Sequence, residues 1–136
     1  MKIYFSAPSS NMTLVRDEMK WITDLGHTIT HDWTFDSEDG FTKEQLRTLA
    51  FKDVEGVKNA DCVILRSDPK TSVGCCIELG IAIAESIPVI IIDHGGIVPS
   101  HFFVKNIEFI KVVNSLDEAL DLCNIITCLI NRKFKP

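Results

Sequence analysis

The chain has 136 residues, 46% of them hydrophobic and 24% charged. That predicts one domain over residues 1–136 with a sizeable core. A formal net charge of −5 gives no reason to expect a nucleic-acid polymer or an anionic membrane as partner.

The basic tail Arg132, Lys133 and Lys135 is too short to change that balance. The apolar start Ile3-Tyr4-Phe5 is too short for a signal peptide. The most apolar window, Cys75 to Ile92, contains Glu78, Glu85 and Pro88. It reads as helix plus buried strand rather than a membrane span. Five cysteines, an odd number without metal-ligand spacing, predict reduced thiols, mostly in the core of a cytoplasmic protein. The minority reading is that Cys75 or Cys76 is reactive near the site.

In chain order, Lys2 to Ser6 reads as a first buried strand, followed by the turn-rich Ala7-Pro8-Ser9-Ser10-Asn11. Asn11 or Thr13 caps a helix to Leu25 whose apolar side is Leu14, Val15, Met19, Ile22 and Leu25. Gly26 is its stop. His27 to Trp33 reads as a second strand, and Thr34 to Gly40 as an acidic loop with Asp36, Glu38 and Asp39. Thr42 and Gln45 form a capping box that opens a helix to about Asn59. Asp61 to Ser67 is the third strand, Gly74 to Ser86 a helix, and Pro88 to Asp93 the fourth strand. A loop to Ser100, a short helical turn at His101–Lys105 and a fifth strand at Phe109–Val113 follow. Ser115 and Glu118 cap the last helix, which ends near Asn131.

Strands that alternate with helices and carry continuous apolar runs predict an α/β fold. The expected form is a five-stranded parallel sheet of flavodoxin-like, Rossmann-like order 2-1-3-4-5, with helices on both faces. Ligands of such sheets bind beyond the carboxyl ends of the strands. Those ends are Ser6 to Ser10, Trp33 to Phe35, Arg66 to Gly74 and Asp93 to Ser100.

Two carboxylates stand out. Glu78 lies about one turn into a nearly all-apolar helix, where an uncompensated charge costs several kcal/mol (roughly) to bury. The amides and dipole of the helix N-terminus partly compensate it. Asp53 falls inside the apolar stripe Leu46, Leu49, Ala50 and Val57. Asp17, Glu18, Asp24, Glu55 and Asp117 are easily solvated, and Asp61 reads as structural. Rise per residue brings Asp53 and Glu78 to the border of one pocket above the sheet. A helix-end carboxylate paired with a lysine is the plainer reading of Asp53.

Tyr4, in the first strand, needs a polar partner if buried, and Glu78 is the candidate. Ser72 and Gly74 belong to a loop able to cradle an anion or a sugar hydroxyl; the plainer reading is an ordinary strand-to-helix connection. The P-loop pattern is absent there. His31, Asp32, Trp33 and Phe35 end the second strand; Trp33 stacks on a base or serves as a core-edge aromatic.

Together these residues resemble the nucleoside 2-deoxyribosyltransferase superfamily, which includes 2'-deoxynucleoside 5'-monophosphate N-glycosidases. The resemblance is carried by Ala60-Asp61-Cys62-Val63-Ile64-Leu65, then Ser72-Val73-Gly74-Cys75-Cys76-Ile77-Glu78-Leu79-Gly80-Ile81-Ala82, with the opening Lys2-Ile3-Tyr4-Phe5-Ser6-Ala7-Pro8. It implies that Glu78 is the nucleophile at C1' of a 2'-deoxyribosyl group, forming a covalent glycosyl-enzyme. Asp53 would hold the sugar or assist proton transfer to the departing base, and Tyr4 would orient Glu78. Ser72, Gly74, Ser6, Pro8, Ser9 and Trp33 would line the substrate site. The resemblance implies no metal or organic cofactor, a small nucleoside or nucleotide substrate, and a homodimer or higher homo-oligomer. The superfamily's nucleotide hydrolases carry an arginine after the first strand; here Pro8 to Met12 has none before Arg16. A 5'-phosphate would lack that bidentate partner.

The alternative is a non-catalytic nucleotide or nucleotide-sugar sensor on the same fold. Asp53, Ser72 and Glu78 together weigh against it, because a pure binder needs no nucleophilic glutamate. A phosphorelay receiver is excluded, since neither Ser6-Ala7-Pro8 nor Arg66-Ser67 supplies its aspartates.

Overall fold

A computed structural model of the chain describes residues 1–36 and 39–133, the last five of these without side chains. Glu38 and the side chains of the basic tail lie outside the described residues. The strands are β1 (Lys2–Ser6), β2 (Thr28–Ile29), β3 (Cys62–Ser67), β4 (Val89–Asp93) and β5 (Ile110–Val113). The helices are α1 (Met12–Asp24), α2 (Lys43–Lys58), α3 (Val73–Ala84), α4 (Phe102–Asn106) and α5 (Leu116–Lys133). All strand pairs are parallel, in the order β2-β1-β3-β4-β5.

Alternation along each strand feeds two separate cores. Ile3, Phe5, Cys62, Ile64, Ile90 and Ile92 pack against α1 and α5 through Val15, Met19, Ile22, Leu120 and Cys123. Tyr4, Val63, Leu65, Val89 and Ile91 face α2, α3 and α4 through Val57, Leu79, Ala82 and Val104. Register sets Ile3 opposite Cys62 and Ser6 opposite Leu65. Tyr4 and Ser6 therefore share the α2/α3 face, two residues apart.

Local signals fix most element ends. Asn11 caps α1 by accepting the Leu14 amide, and Gly26 follows it at φ 92°, a turn that only glycine makes without strain. Thr42 and Gln45 form the expected capping box. At α5, Ser115 accepts the Glu118 amide, and Glu118 reaches back to the amide of Asn114 rather than that of Ser115.

The second strand is shorter than expected. Pairing stops at Ile29, and Trp33–Phe35 forms a 3-10 turn held by Asp32, which accepts the Thr34 amide. β2 is an edge strand with one partner; the Thr30 amide still donates to the Ile3 carbonyl at 2.9 Å, and beyond it the chain follows this local cap. Two predicted apolar faces are only partly covered. Leu14 of α1, Leu25 just after it, and Leu46 and Ala50 of α2 are exposed. Glu18, expected in solvent, pairs with Arg66 at the end of β3, and both side chains are mostly buried. Asp61 is structural as expected: it accepts the Lys2 amide at 2.8 Å. Cys62, Cys75 and Cys123 are buried free thiols, whereas Cys76 and Cys128 are exposed. No helix among the described residues is long and apolar enough to cross a membrane.

Candidate active site

Three elements converge above the carboxyl end of the sheet. β1 presents Tyr4 and Ser6, both fully buried. α3 brings Glu78 down onto them, and its start is fixed by Ser72, whose hydroxyl accepts the Cys75 amide at 3.3 Å. α2 brings Asp53 in from the side.

Each oxygen of Glu78 has its own donor. The Tyr4 hydroxyl donates to Oε2, and the Ser6 hydroxyl donates to Oε1 at 2.8 Å. Burial pushes the Glu78 carboxyl above its usual range; the two hydroxyls oppose that, and the charge of Asp53 adds to it. Burial, then the negative charge of Glu78, pushes the Tyr4 phenol far above its ordinary value. Tyr4 is therefore a donor throughout the accessible pH range.

Asp53 Oδ1 lies 3.4 Å from the Tyr4 hydroxyl and 3.5 Å from His31 Nε2. The same His31 nitrogen is 3.0 Å from Asp36 Oδ2. Burial pushes the Asp53 carboxyl up, His31 draws it down, and Asp36 raises it again. A phenol has one proton to give, and Tyr4 gives it to Glu78. Asp53 Oδ1 stands behind it as a second, longer acceptor of the same hydroxyl. The two carboxyls thus compete for one phenolic proton, and burial raises both above their usual range.

Both carboxylates open onto a cavity of about 320 Å³ that is also lined by Ser9, Trp33, Ser72 and Gly74. No lysine or arginine lines it among the described residues. A separate hollow of about 450 Å³ lies on the opposite side of α3, between Leu79, Ile83, Val98 and Phe103. It is almost wholly apolar and holds neither carboxylate.

Glu78, Asp53 and Tyr4 are brought together. Ser6, expected to touch substrate, instead spends its hydroxyl on Glu78. Ser72 stands at the rim as the α3 cap, and Gly74 and Ser9 line the wall. Pro8 faces a different crevice, beside Arg66 and Ser67, because the chain turns at Ser9–Asn11. Trp33 lines the cavity from its 3-10 turn, with its indole N–H donating to the Phe5 carbonyl at 2.8 Å. Arg16 points elsewhere, bonding the Thr34 carbonyl and lying over the Phe35 ring.

Sequence reasoning gave His31 and Asp36 no part at the carboxylates and Met12 no part in the lining, whereas Cys75, read as a thiol near the site in the minority view, does line the cavity. A histidine just past a strand end and ahead of an acidic loop was the available signal for the first two. His31, Asp36 and Asp53 offer ligand atoms within 4.8 Å of one another, so this cluster could hold a metal ion.

The fold is shared with solved enzymes. A 2-deoxyribosyltransferase from the psychrotolerant bacterium Bacillus psychrosaccharolyticus superposes with a TM-score of 0.67 at 21% identity, over 88% of this chain and 90% of that one. The CMP N-glycosidase of Clostridium botulinum superposes with a TM-score of 0.54 at 16% identity, over 93% of this chain and 99% of that one. No family model matches the sequence, and no curated protein matches it either.

Proposed function

We propose that this chain cleaves or transfers the N-glycosidic bond of 2'-deoxynucleosides, with Glu78 as nucleophile. The observation that carries this reading is the Glu78 carboxylate, held by one hydroxyl on each oxygen at the wall of a cavity that Asp53 also lines. The two solved neighbours are named for deoxyribosyl transfer and for N-glycoside cleavage, which supports the same chemistry here.

Ionised Glu78 attacks C1' from the face opposite the base. The C1'–O bond to Glu78 forms as the C1'–N bond breaks, and the electron pair leaves with the base nitrogen. Asp53 gives its proton to the departing base. In the second half, water or another base attacks C1' and releases Glu78, and the proton lost by that nucleophile returns to Asp53. Water makes the protein a hydrolase; a second base makes it a transferase. Tyr4 and Ser6 hold the nucleophile throughout.

The lining carries carboxylates and no basic side chain among the described residues, so nucleosides are favoured over their 5'-monophosphates. A homodimer or larger homo-oligomer fits the apolar surface beside the cavity. Val73 and Ile77 of α3 are 76% and 59% exposed, and Phe51 of the adjoining α2 is 56% exposed. Light scattering of the purified chain tests that assembly.

The deciding experiment is release of free base from a panel of 2'-deoxynucleosides and their monophosphates. Each is run with and without a second base, on wild type and Glu78→Ala. Exchange that vanishes in the variant identifies a transferase, and release without exchange a hydrolase. No turnover, with nucleotide binding equal in both proteins, overturns the reading in favour of a sensor.

A further inference from the structure

Gly56 occupies the interior of α2, three residues after Asp53. Its φ is not in the left-handed region, and glycine is a poor residue for a helix interior. Space explains its presence. A Cβ at position 56 would stand 2.9 Å from His31 Cβ and 3.0 Å from two ring carbons of Tyr4. α2 therefore rests against β1 and the segment after β2 more closely than any side chain at this position would allow. The Thr30 hydroxyl donates to the Gly56 carbonyl at 2.7 Å, tying that turn of the helix to the segment that carries His31. Residues three apart share a helix face, so the same close approach delivers Asp53 to Tyr4.

We propose that Gly56 is a positioning residue. Its missing side chain, together with the Thr30 hydroxyl, sets the distance at which Asp53 meets Tyr4, and so couples Asp53 to Glu78 through one phenol. The inference rests on the roles proposed above for those two carboxylates. A methyl group at 56 lifts α2 off β1. Residues 41–52 are exposed except Leu49, so this part of the chain can swing outward without opening the core. Tyr4 then serves Glu78 alone.

Tyr4 is the sole tyrosine of the chain, so protein grown with tyrosine labelled with 13C at Cζ gives a single phenol-carbon resonance. The titratable groups facing it are Glu78 and Cys75 on α3, Asp53 on α2, and His31 and Asp36 after β2. In wild type the resonance bends with pH once for each of Glu78 and Asp53. In Gly56→Ala the Glu78 bend remains and the Asp53 bend is lost. Thr30→Val removes the tie to the helix and shifts the Asp53 bend in the same direction by less.

A two-bend curve in folded Gly56→Ala overturns the proposal. If that variant shows no cooperative thermal transition, Thr30→Val decides: an unchanged curve overturns the proposal and a weakened Asp53 bend upholds it. On a deoxynucleoside, kcat of Gly56→Ala falls about tenfold with KM held within about twofold, as expected for a misplaced proton donor. Absence of base release by wild type would refute the proposed function, and the resonance would still test the coupling.

Discussion

Tyr4 and Glu78 stand 74 residues apart in the chain and share a hydrogen bond at which a second carboxylate, Asp53, arrives from another helix. One phenolic proton between two acids forces a division of labour. The oxygen that receives it stays ionised more easily, and burial pushes the other acid up. The charge of Asp53 adds to the rise at Glu78, so the pH profile of the nucleophile carries a contribution from both acids.

Tyr4→Phe takes away the donor that opposes burial at Glu78. The Glu78 carboxyl rises further, less of it is ionised at a given pH, and the acidic limb of kcat/KM against pH moves upward. Loss of a hydrogen bond to a charged group predicts a fall in kcat of roughly ten- to a hundredfold near neutral pH. A pH–rate profile checks both. An unmoved acidic limb would show that the phenol does not support the nucleophile.

Glu78→Gln abolishes turnover, by on the order of a thousandfold or more, and raises stability near neutral pH. The folded-state pKa of Glu78 lies above its ordinary value of 4.5, so the native state binds the proton more tightly than the unfolded chain. Stability from this group is greatest below 4.5 and falls as pH rises through the folded-state pKa. The Tm advantage of the variant over wild type should therefore shrink as pH is lowered toward 4.5. An advantage that grows on acidification would reverse the assignment.

Asp53→Asn removes the proposed proton source and leaves the nucleophile in place. Turnover of ordinary deoxynucleosides should fall by about a hundredfold to ten-thousandfold. A deoxyribosyl donor whose leaving group needs no protonation should react nearly as in wild type. Equal losses on both donors would make Asp53 a sugar-holding group instead.

A 5'-phosphate entering the cavity meets Asp36, Asp53 and Glu78 and no lysine or arginine among the described residues. The ratio of kcat/KM for a deoxynucleoside over its monophosphate should exceed one at low salt. It should fall as salt screens the repulsion, over a Debye length of about 10 Å at 0.1 M. A monophosphate preference that weakens with salt would reveal a cation supplied from outside this lining.

The sheet order and the meeting of Glu78, Asp53 and Tyr4 were legible because apolar runs and rise per residue constrain them strongly, and the Thr42 cap because it forms a capping box with Gln45, whereas the α1 cap was open between Asn11 and Thr13. The course of the chain after Ile29 was not. His27 to Trp33 has the composition of a strand, but Asp32 offers the backbone a competing cap, and that competition is settled by tertiary contacts. His31 lies in the same stretch, so its contact with Asp53 was hidden with it. The role of Ser6 was missed for a different reason. Its position was read from the loop it precedes, whereas two-residue alternation from Tyr4 puts it on the nucleophile.

The parallel register of β1 has a consequence for how the chain avoids misassembly. Ile3 and Phe5 are as apolar as any residue that α2 and α3 cover, so greasiness alone does little to forbid a one-residue slip of this strand. Such a slip would thrust the hydroxyls of Tyr4 and Ser6 into the layer beneath α1 and α5, stranded from Glu78, and strand Glu78 as well. The polar trio is thus a registration pin for the strand, and whatever preserves the chemistry also proofreads the assembly of the sheet.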